Sequence, residues 1–217
     1  LLKQHCQVFT PDLAGSGKEH GDFVQLVGNV LMNQSQPVIL VGHSSGGIVI
    51  SELAKQYPEK IKALVYLSAF LLPQGQSPPE VIQEDKASLL PEALVADTLT
   101  GRVRVKKEMA KAVFYHDCSD SIANWAIARL TSEPQVPSSS PEPASMPTHS
   151  TGRISPPRFY IETLQDRALS ITTQRRMYQK LPCQKVYSLP GSHSPFFSQP
   201  EKLTAILLDI HQQVKDK

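Results

Sequence analysis

Four consecutive apolar residues, Val38-Ile39-Leu40-Val41, follow Pro37 and run straight into a turn, Gly42-His43-Ser44-Ser45-Gly46-Gly47. An apolar run without polar alternation marks a strand buried on both faces, as happens where helices cover both sides of a parallel sheet. The surrounding chain has the matching rhythm. Cys6 to Thr10 reads as a short strand closed by Pro11-Asp12 and followed by the turn Gly15-Ser16-Gly17. Phe23, Leu26, Val27, Val30 and Leu31 fall at helical spacing, which predicts an amphipathic helix over about 22–33. Ile48 to Tyr57 reads as a helix stopped by Pro58, and Ala63-Leu64-Val65-Tyr66-Leu67 as a second buried strand. Strand alternating with helix in this way predicts a parallel sheet with helices on its faces.

The alternation stops after Pro73 and resumes at the strand Arg158-Phe159-Tyr160-Ile161. Between them the sequence offers no strand of comparable strength. It offers two helices, Lys106 to Tyr115 and Ser119 to Leu130, and a Pro/Ser-rich loop from Glu133 to Pro147. Beyond Ile161 come a helix from about Thr172 to Lys180, a strand Lys185-Val186-Tyr187 and a last helix from about Pro200 to Val214. The expected organisation is therefore one α/β domain in two parts, 1–72 and 158–217, interrupted by a mostly helical insertion, 73–157, sitting over one edge of the sheet.

The 217 residues carry a formal net charge of +2 with acids and bases mixed, so no basic stripe points to nucleic acid. The densest basic stretch, Arg102 to Lys107, reads as the solvated face of a short helix or turn. Cys6, Cys118 and Cys183 fit no zinc or redox spacing, and reduced thiols in the cytoplasm are the plain reading. No apolar run approaches the roughly 18 residues needed to span a bilayer. The opening Leu1-Leu2-Lys3 is not a natural start, and N-terminal sequence is expected to be missing from it.

Gly-x-Ser-x-Gly between a buried strand and a helix is the setting in which a serine is held at the apex of a tight turn. The tightness accounts for Gly42 and Gly46, and the register of the two glycines selects Ser44 over Ser45. The N–H of Ser45, at the start of the helix, is a natural oxyanion donor. A serine hydroxyl needs a base. His193 follows the last strand, in Pro190-Gly191-Ser192-His193-Ser194-Pro195, and so reaches the same sheet edge as Ser44. His43 reads as packing, His116 as packing or capping within the insertion, and His5, His20, His149 and His211 as surface residues. The acid belongs just beyond the strand from Arg158. Asp166, in the following loop, is better placed than Glu162, which is still in or at the end of the strand. Its role would be to fix the imidazole tautomer and stabilise the imidazolium. Gly15-Ser16-Gly17-Lys18 imitates the end of a phosphate-binding loop, but Asp12 and Glu19 stand where that loop needs Gly and Ser/Thr.

Val41 to Gly47, Tyr57-Pro58-Glu59-Lys60-Ile61, Leu64 to Phe70, Tyr160 to Ala168 and Ser192 to Pro200 together resemble the branch of α/β-hydrolases that contains plant methylesterases, hydroxynitrile lyases and related bacterial esterases. The resemblance implies the α/β-hydrolase fold, a mostly parallel sheet flanked by helices with a helical cap. It implies a triad of Ser44, Asp166 and His193, no cofactor and no metal. A mostly apolar pocket is implied too, for which Phe114, Tyr115, Trp125, Phe196 and Phe197 are the candidate walls. The implied partner is a small-molecule ester, without membrane or nucleic acid and with a homodimer admitted. Two departures matter. Ser194 stands where the hydroxynitrile lyases carry a lysine, which disfavours cyanide release. Members of the branch carry an early His-Gly segment whose loop supplies the second oxyanion N–H, and this chain begins too late to include it; omitted residues are the expectation, and a pseudo-hydrolase with half an oxyanion hole is the alternative. The expected function is a serine carboxylic-ester hydrolase. A lyase on the same triad, or an impaired ligand-binding pseudo-hydrolase, is the alternative.

Overall fold

The computed structural model describes residues 1–13, 20–73, 75–134 and 155–215. The Gly15 to Lys18 turn and most of the Pro/Ser-rich stretch lie outside the described residues. In chain order the elements are α1 (His20–Met32), β1 (Val38–His43), α2 (Gly46–Gln56), β2 (Ile61–Leu67), α3 (Pro78–Glu84), α4 (Leu90–Ala93), β3 (Leu94–Asp97), β4 (Arg102–Val105), α5 (Lys107–Phe114), α6 (Asp120–Ile127), β5 (Glu133–Pro134), β6 (Arg158–Thr163), α7 (Ile171–Lys180), β7 (Lys185–Leu189), α8 (Pro195–Ser198) and α9 (Pro200–Lys215).

Among the described residues the main sheet has the order β1-β2-β6-β7, every pair parallel. The unbroken apolar strands work as their pattern requires, because successive side chains enter opposite cores. Leu64, Tyr66 and Tyr160 join Phe23, Leu31, Val49, Leu53 and Met177, from α1, α2 and α7, on one face. Ala63, Val65, Leu67, Phe159 and Ile161 join Leu203, Ile210 and Val214 of α9 on the other. The result is three layers with every strand pointing the same way, so the turns after β1, β2, β6 and β7 gather at one edge.

Two expectations fail. Cys6 to Thr10 does not form a strand; the segment is irregular and mostly exposed, after a short 3₁₀ turn at Leu2–Gln4. Arg102 to Val105 is neither helix nor turn but β4, the middle strand of an antiparallel β3-β4-β5 sheet in the insertion. Arg and Val alternate there, and a period of two suits a sheet with one solvated face. The insertion therefore carries a small sheet as well as α3 to α6.

β6 is tied to the turn after β2 by the Tyr160 hydroxyl, buried and donating to the Ala69 carbonyl at 2.7 Å. Tyr160→Phe leaves that carbonyl without its donor. We expect a loss of about 1–2 kcal/mol, measured by urea denaturation.

Candidate active site

Ser44 lies between the end of β1 at His43 and the N-cap of α2 at Ser45, and it sits at φ +52°. A left-handed conformation costs a non-glycine residue roughly 1–2 kcal/mol, so the turn must be held from outside. Ser44 N–H donates to Leu67 O at 3.3 Å, and Phe70 N–H donates to Ser44 O at 3.1 Å. Both partners belong to the end of β2 and the turn after it. The glycines that permit this approach are Gly42 and Gly47. A Cβ on Gly42 would lie 2.5 Å from the Gly46 carbonyl oxygen, and one on Gly47 would lie 2.2 Å from that of Phe70. A Cβ on Gly46 would meet nothing within 4 Å. The steric role given to Gly46 in the motif belongs to Gly47.

Ser45 is the N-cap of α2, so its N–H belongs to the first turn, which has no intrahelical acceptor. Its hydroxyl donates at 3.4 Å to Glu133, at the edge of the insertion's sheet. Glu133 is an exposed residue whose carboxyl is nonetheless crowded by protein. Desolvation pushes that carboxyl up, against the Ser45 hydrogen bond and the Arg102 charge.

Asp166 and His193 meet in the buried edge beyond β6 and β7, with Nδ1 2.8 Å from Oδ2. The carboxylate is enclosed, and among the described residues five donors reach it. Oδ1 accepts from the N–H groups of Ala168 and Leu169, both at 2.8 Å. Oδ2 accepts from Thr163 Oγ1 at 3.0 Å and Gln174 Nε2 at 3.2 Å, besides the imidazole. Because Thr163 donates to Asp166, Ser68 must be the donor in its 2.7 Å contact with Thr163. An imidazole that gives Nδ1–H to a carboxylate keeps its lone pair on Nε2. His193 Nε2 is buried and has no hydrogen-bond partner among the described residues, the Ser44 hydroxyl included.

Glu162, the other candidate acid, points elsewhere. It accepts from Arg175 at 3.1 and 3.0 Å, from Tyr178 at 2.9 Å and from Ser188 at 2.8 Å. Desolvation pushes its carboxyl up, but these donors outweigh it and hold the group below the usual carboxylate range. His43 does more than pack. Its Nε2–H donates to the backbone carbonyl of His193 at 2.8 Å, and the two rings lie 4.6 Å apart. Desolvation, reinforced by the His193 charge, lowers its pKa from 6.5 to about 3. It therefore stays neutral beside His193.

The aromatic candidates divide. The Phe114 ring lies 5.5 Å from that of His193, and the Phe196 ring 5.0 Å from that of His43. Tyr115 is buried in the insertion's own cluster, with Phe197 against it at 5.9 Å. Trp125 is 51% exposed, packed on Phe197 with Arg129 over its face. Among the described residues no group of His, Cys, Asp and Glu could hold a metal ion, and no helix is long and apolar enough to cross a membrane.

A family model described as "Alpha/beta hydrolase family" matches residues 1–206. The chain belongs to the alpha/beta hydrolase family. The pyrethroid hydrolase of Sphingobium wenxiniae is 31% identical over 222 residues, 94% of this chain and 77% of that protein. Methylesterase 17 of Arabidopsis thaliana is 27% identical over 183 residues, 81% of this chain and 66% of that one. A crystal structure of the pyrethroid hydrolase PytH aligns with a TM-score of 0.73 at 28% identity, covering 92% of this chain and 80% of that one. The chain spans about half the length of other curated relatives it matches, 46% and 53% of two Arabidopsis proteins 32% and 30% identical to it.

Within this alpha/beta hydrolase, sequence reasoning missed Ser68, Thr163 and Gln174 around the acid. Thr163 carried a faint signal, a polar residue ending an apolar strand. Gln174 carried none, since it looks like any helix residue. Gly47→Ala drives a methyl into the Phe70 carbonyl and is expected to cost about 3 kcal/mol or to prevent folding. Gly46→Ala should change stability by less than about 1 kcal/mol. Thermal melting of the pair checks this.

His43 gives a second test. Between pH 6.5 and about 3 its imidazole binds a proton in the unfolded chain but not in the folded one. Stability from this residue is therefore intact above pH 6.5 and falls as pH drops through the window, by at most about 1.4 kcal/mol per pH unit. His43→Gln should flatten that limb, read by denaturation at a series of pH values.

Proposed function

We propose that this chain is a serine esterase that hydrolyses small, largely apolar carboxylic esters through an acyl-enzyme on Ser44. The observation that carries the reading is the Asp166–His193 pair, with Nδ1 committed to the carboxylate and Nε2 buried and unpartnered, at the same sheet edge as the strained Ser44 turn. Names borne by relatives, methylesterase and pyrethroid hydrolase, support an ester as substrate. Phe114 and Phe196 beside the histidines support an apolar one.

In this reading Ser44 Oγ attacks the ester carbonyl carbon as its proton passes to His193 Nε2. The carbonyl oxygen takes up negative charge facing the N–H of Ser45 at the start of α2, where the helix dipole favours an anion. The C–O bond to the alcohol breaks, and Nε2 returns the proton to that oxygen. Water then gives a proton to Nε2 and attacks the acyl carbon; the bond from that carbon to Ser44 Oγ breaks as Nε2 passes the proton to Oγ, freeing the acid and restoring Ser44. Asp166 holds the imidazole in one tautomer and stabilises its cation without taking the proton. Cys6, Cys118 and Cys183 are free thiols, which fits a reducing, cytoplasmic setting.

The test is intact-mass spectrometry after exposure to a fluorophosphonate, paired with hydrolysis of p-nitrophenyl butyrate. One adduct is expected, absent in Ser44→Ala, whose turnover should fall by roughly 10³-fold or more. Unchanged turnover in Ser44→Ala would sink the reading.

A further inference from the structure

The insertion touches more than the space above the site. Among the described residues, six hydrogen bonds join it to the two loops that carry Asp166 and His193. On the acid side, the buried Asp85 carboxylate accepts Ser170 N–H at 2.8 Å, Ser88 Oγ donates to Ala168 O at 2.7 Å, and Leu89 N–H donates to Arg167 O at 2.8 Å. At the corner between α5 and α6, His116 Nε2 donates to Gln165 O at 2.9 Å, so this corner also reaches the acid loop. On the histidine side, Asp117 Oδ2 accepts Ser192 N–H at 2.9 Å, and Ser192 Oγ donates to Phe114 O at 3.0 Å. The loops are themselves linked, since Gln165 N–H donates to Gly191 O at 3.0 Å. Gly191 also lies close against the insertion. A Cβ there would lie 2.8 Å from the Asp117 carboxylate.

Every residue from Gln165 to Ser170 except Leu169 is thus either Asp166 itself or bonded to the insertion through its backbone. The residue immediately before His193 is bonded to it twice. We propose that the insertion is a clamp that sets the geometry of the Asp166–His193 pair, with Asp117 and Asp85 as its positioning residues. Neither touches the reacting atoms. Asp117 acts by fixing Ser192, and Asp85 by fixing the start of α7, immediately beyond the Asp166 loop. This rests on the reading of Asp166 and His193 as acid and base. It differs from the role of a cover, which would bear on substrate binding alone.

Asp117→Ala removes one charge-assisted acceptor and is expected to lower kcat for p-nitrophenyl butyrate by about tenfold while KM stays within about twofold. The rate of fluorophosphonate labelling at Ser44 should fall by the same factor. Asp117→Asn keeps an acceptor oxygen and should recover most of the loss. A raised KM with unchanged kcat and labelling would overturn the clamp and leave a cover. If Asp117→Ala does not fold, Ser192→Ala, which removes the hydroxyl that donates to Phe114 O and accepts from Ser194 N–H, and Asp85→Asn are read in the same way. A wild-type protein without turnover or label defeats the esterase reading only. The low-field proton resonance of His193 Nδ1–H then decides the clamp. Its loss or broadening in folded Asp117→Ala supports the proposal, and an unchanged resonance overturns it.

Discussion

The carbonyl of Phe70 occupies the place where a side chain at position 47 would have to go. Because that position is glycine, α2 starts flush against the turn that follows β2, and the two turns exchange backbone hydrogen bonds through Ser44. Both contain a residue forced to positive φ, Ser44 at +52° and Ser68 at +45°. Each strained residue is held by groups from the neighbouring strand's end, Leu67 and Phe70 for Ser44, Ile161 and Thr163 for Ser68. Strain of this kind persists only where the surroundings over-determine the backbone. Here the surroundings are the parallel strands themselves, so the serine's position follows from the sheet rather than from a free loop.

The second dependence is electrostatic. Removing a carboxylate from water costs several kcal/mol unless protein donors replace the lost solvent. Asp166 has such replacements on both oxygens, and its direction is therefore fixed before His193 is considered. Glu162, four residues earlier, is satisfied by a separate set, Arg175, Tyr178 and Ser188. The two acids stay separate because one ends a strand whose partners are α7 and β7, while the other turns back in the loop towards the imidazole. His43, uncharged, adds a rigid hydrogen bond to the base's own carbonyl without adding a competing cation.

Local pattern made much of this legible. The apolar runs at Val38 and Ala63, the turn at Ser44 and the loop at His193 are all written within a few residues, and elements formed there. The reading failed where local signal was weak or misjudged. Cys6 to Thr10 has strand-like residues but no strand, and Arg102 to Val105 has the two-residue period of a strand beneath a charge pattern read as a helix or turn. Gly46 and Gly47 are indistinguishable in sequence, and only the approach of Phe70 separates them. Asp85 and Asp117 bond to residues reached only by folding, 85 and 75 positions away. Periodicity has nothing to say about such pairs.

The bonds between the insertion and the loops of Asp166 and His193 bear on how such a protein can be altered. A segment inserted between two strands looks like an exchangeable module, free to be replaced when a new substrate must be accommodated. Here its backbone and carboxylates are bonded to the loops that carry Asp166 and His193, so an exchange that ignored Ser88, His116 or their acceptors would disturb those loops whatever else it changed. Successful grafts into this framework would have to carry the matching halves of both loops, and variation that preserves function should accumulate in residues such as Ile122 and Trp125 that face outward.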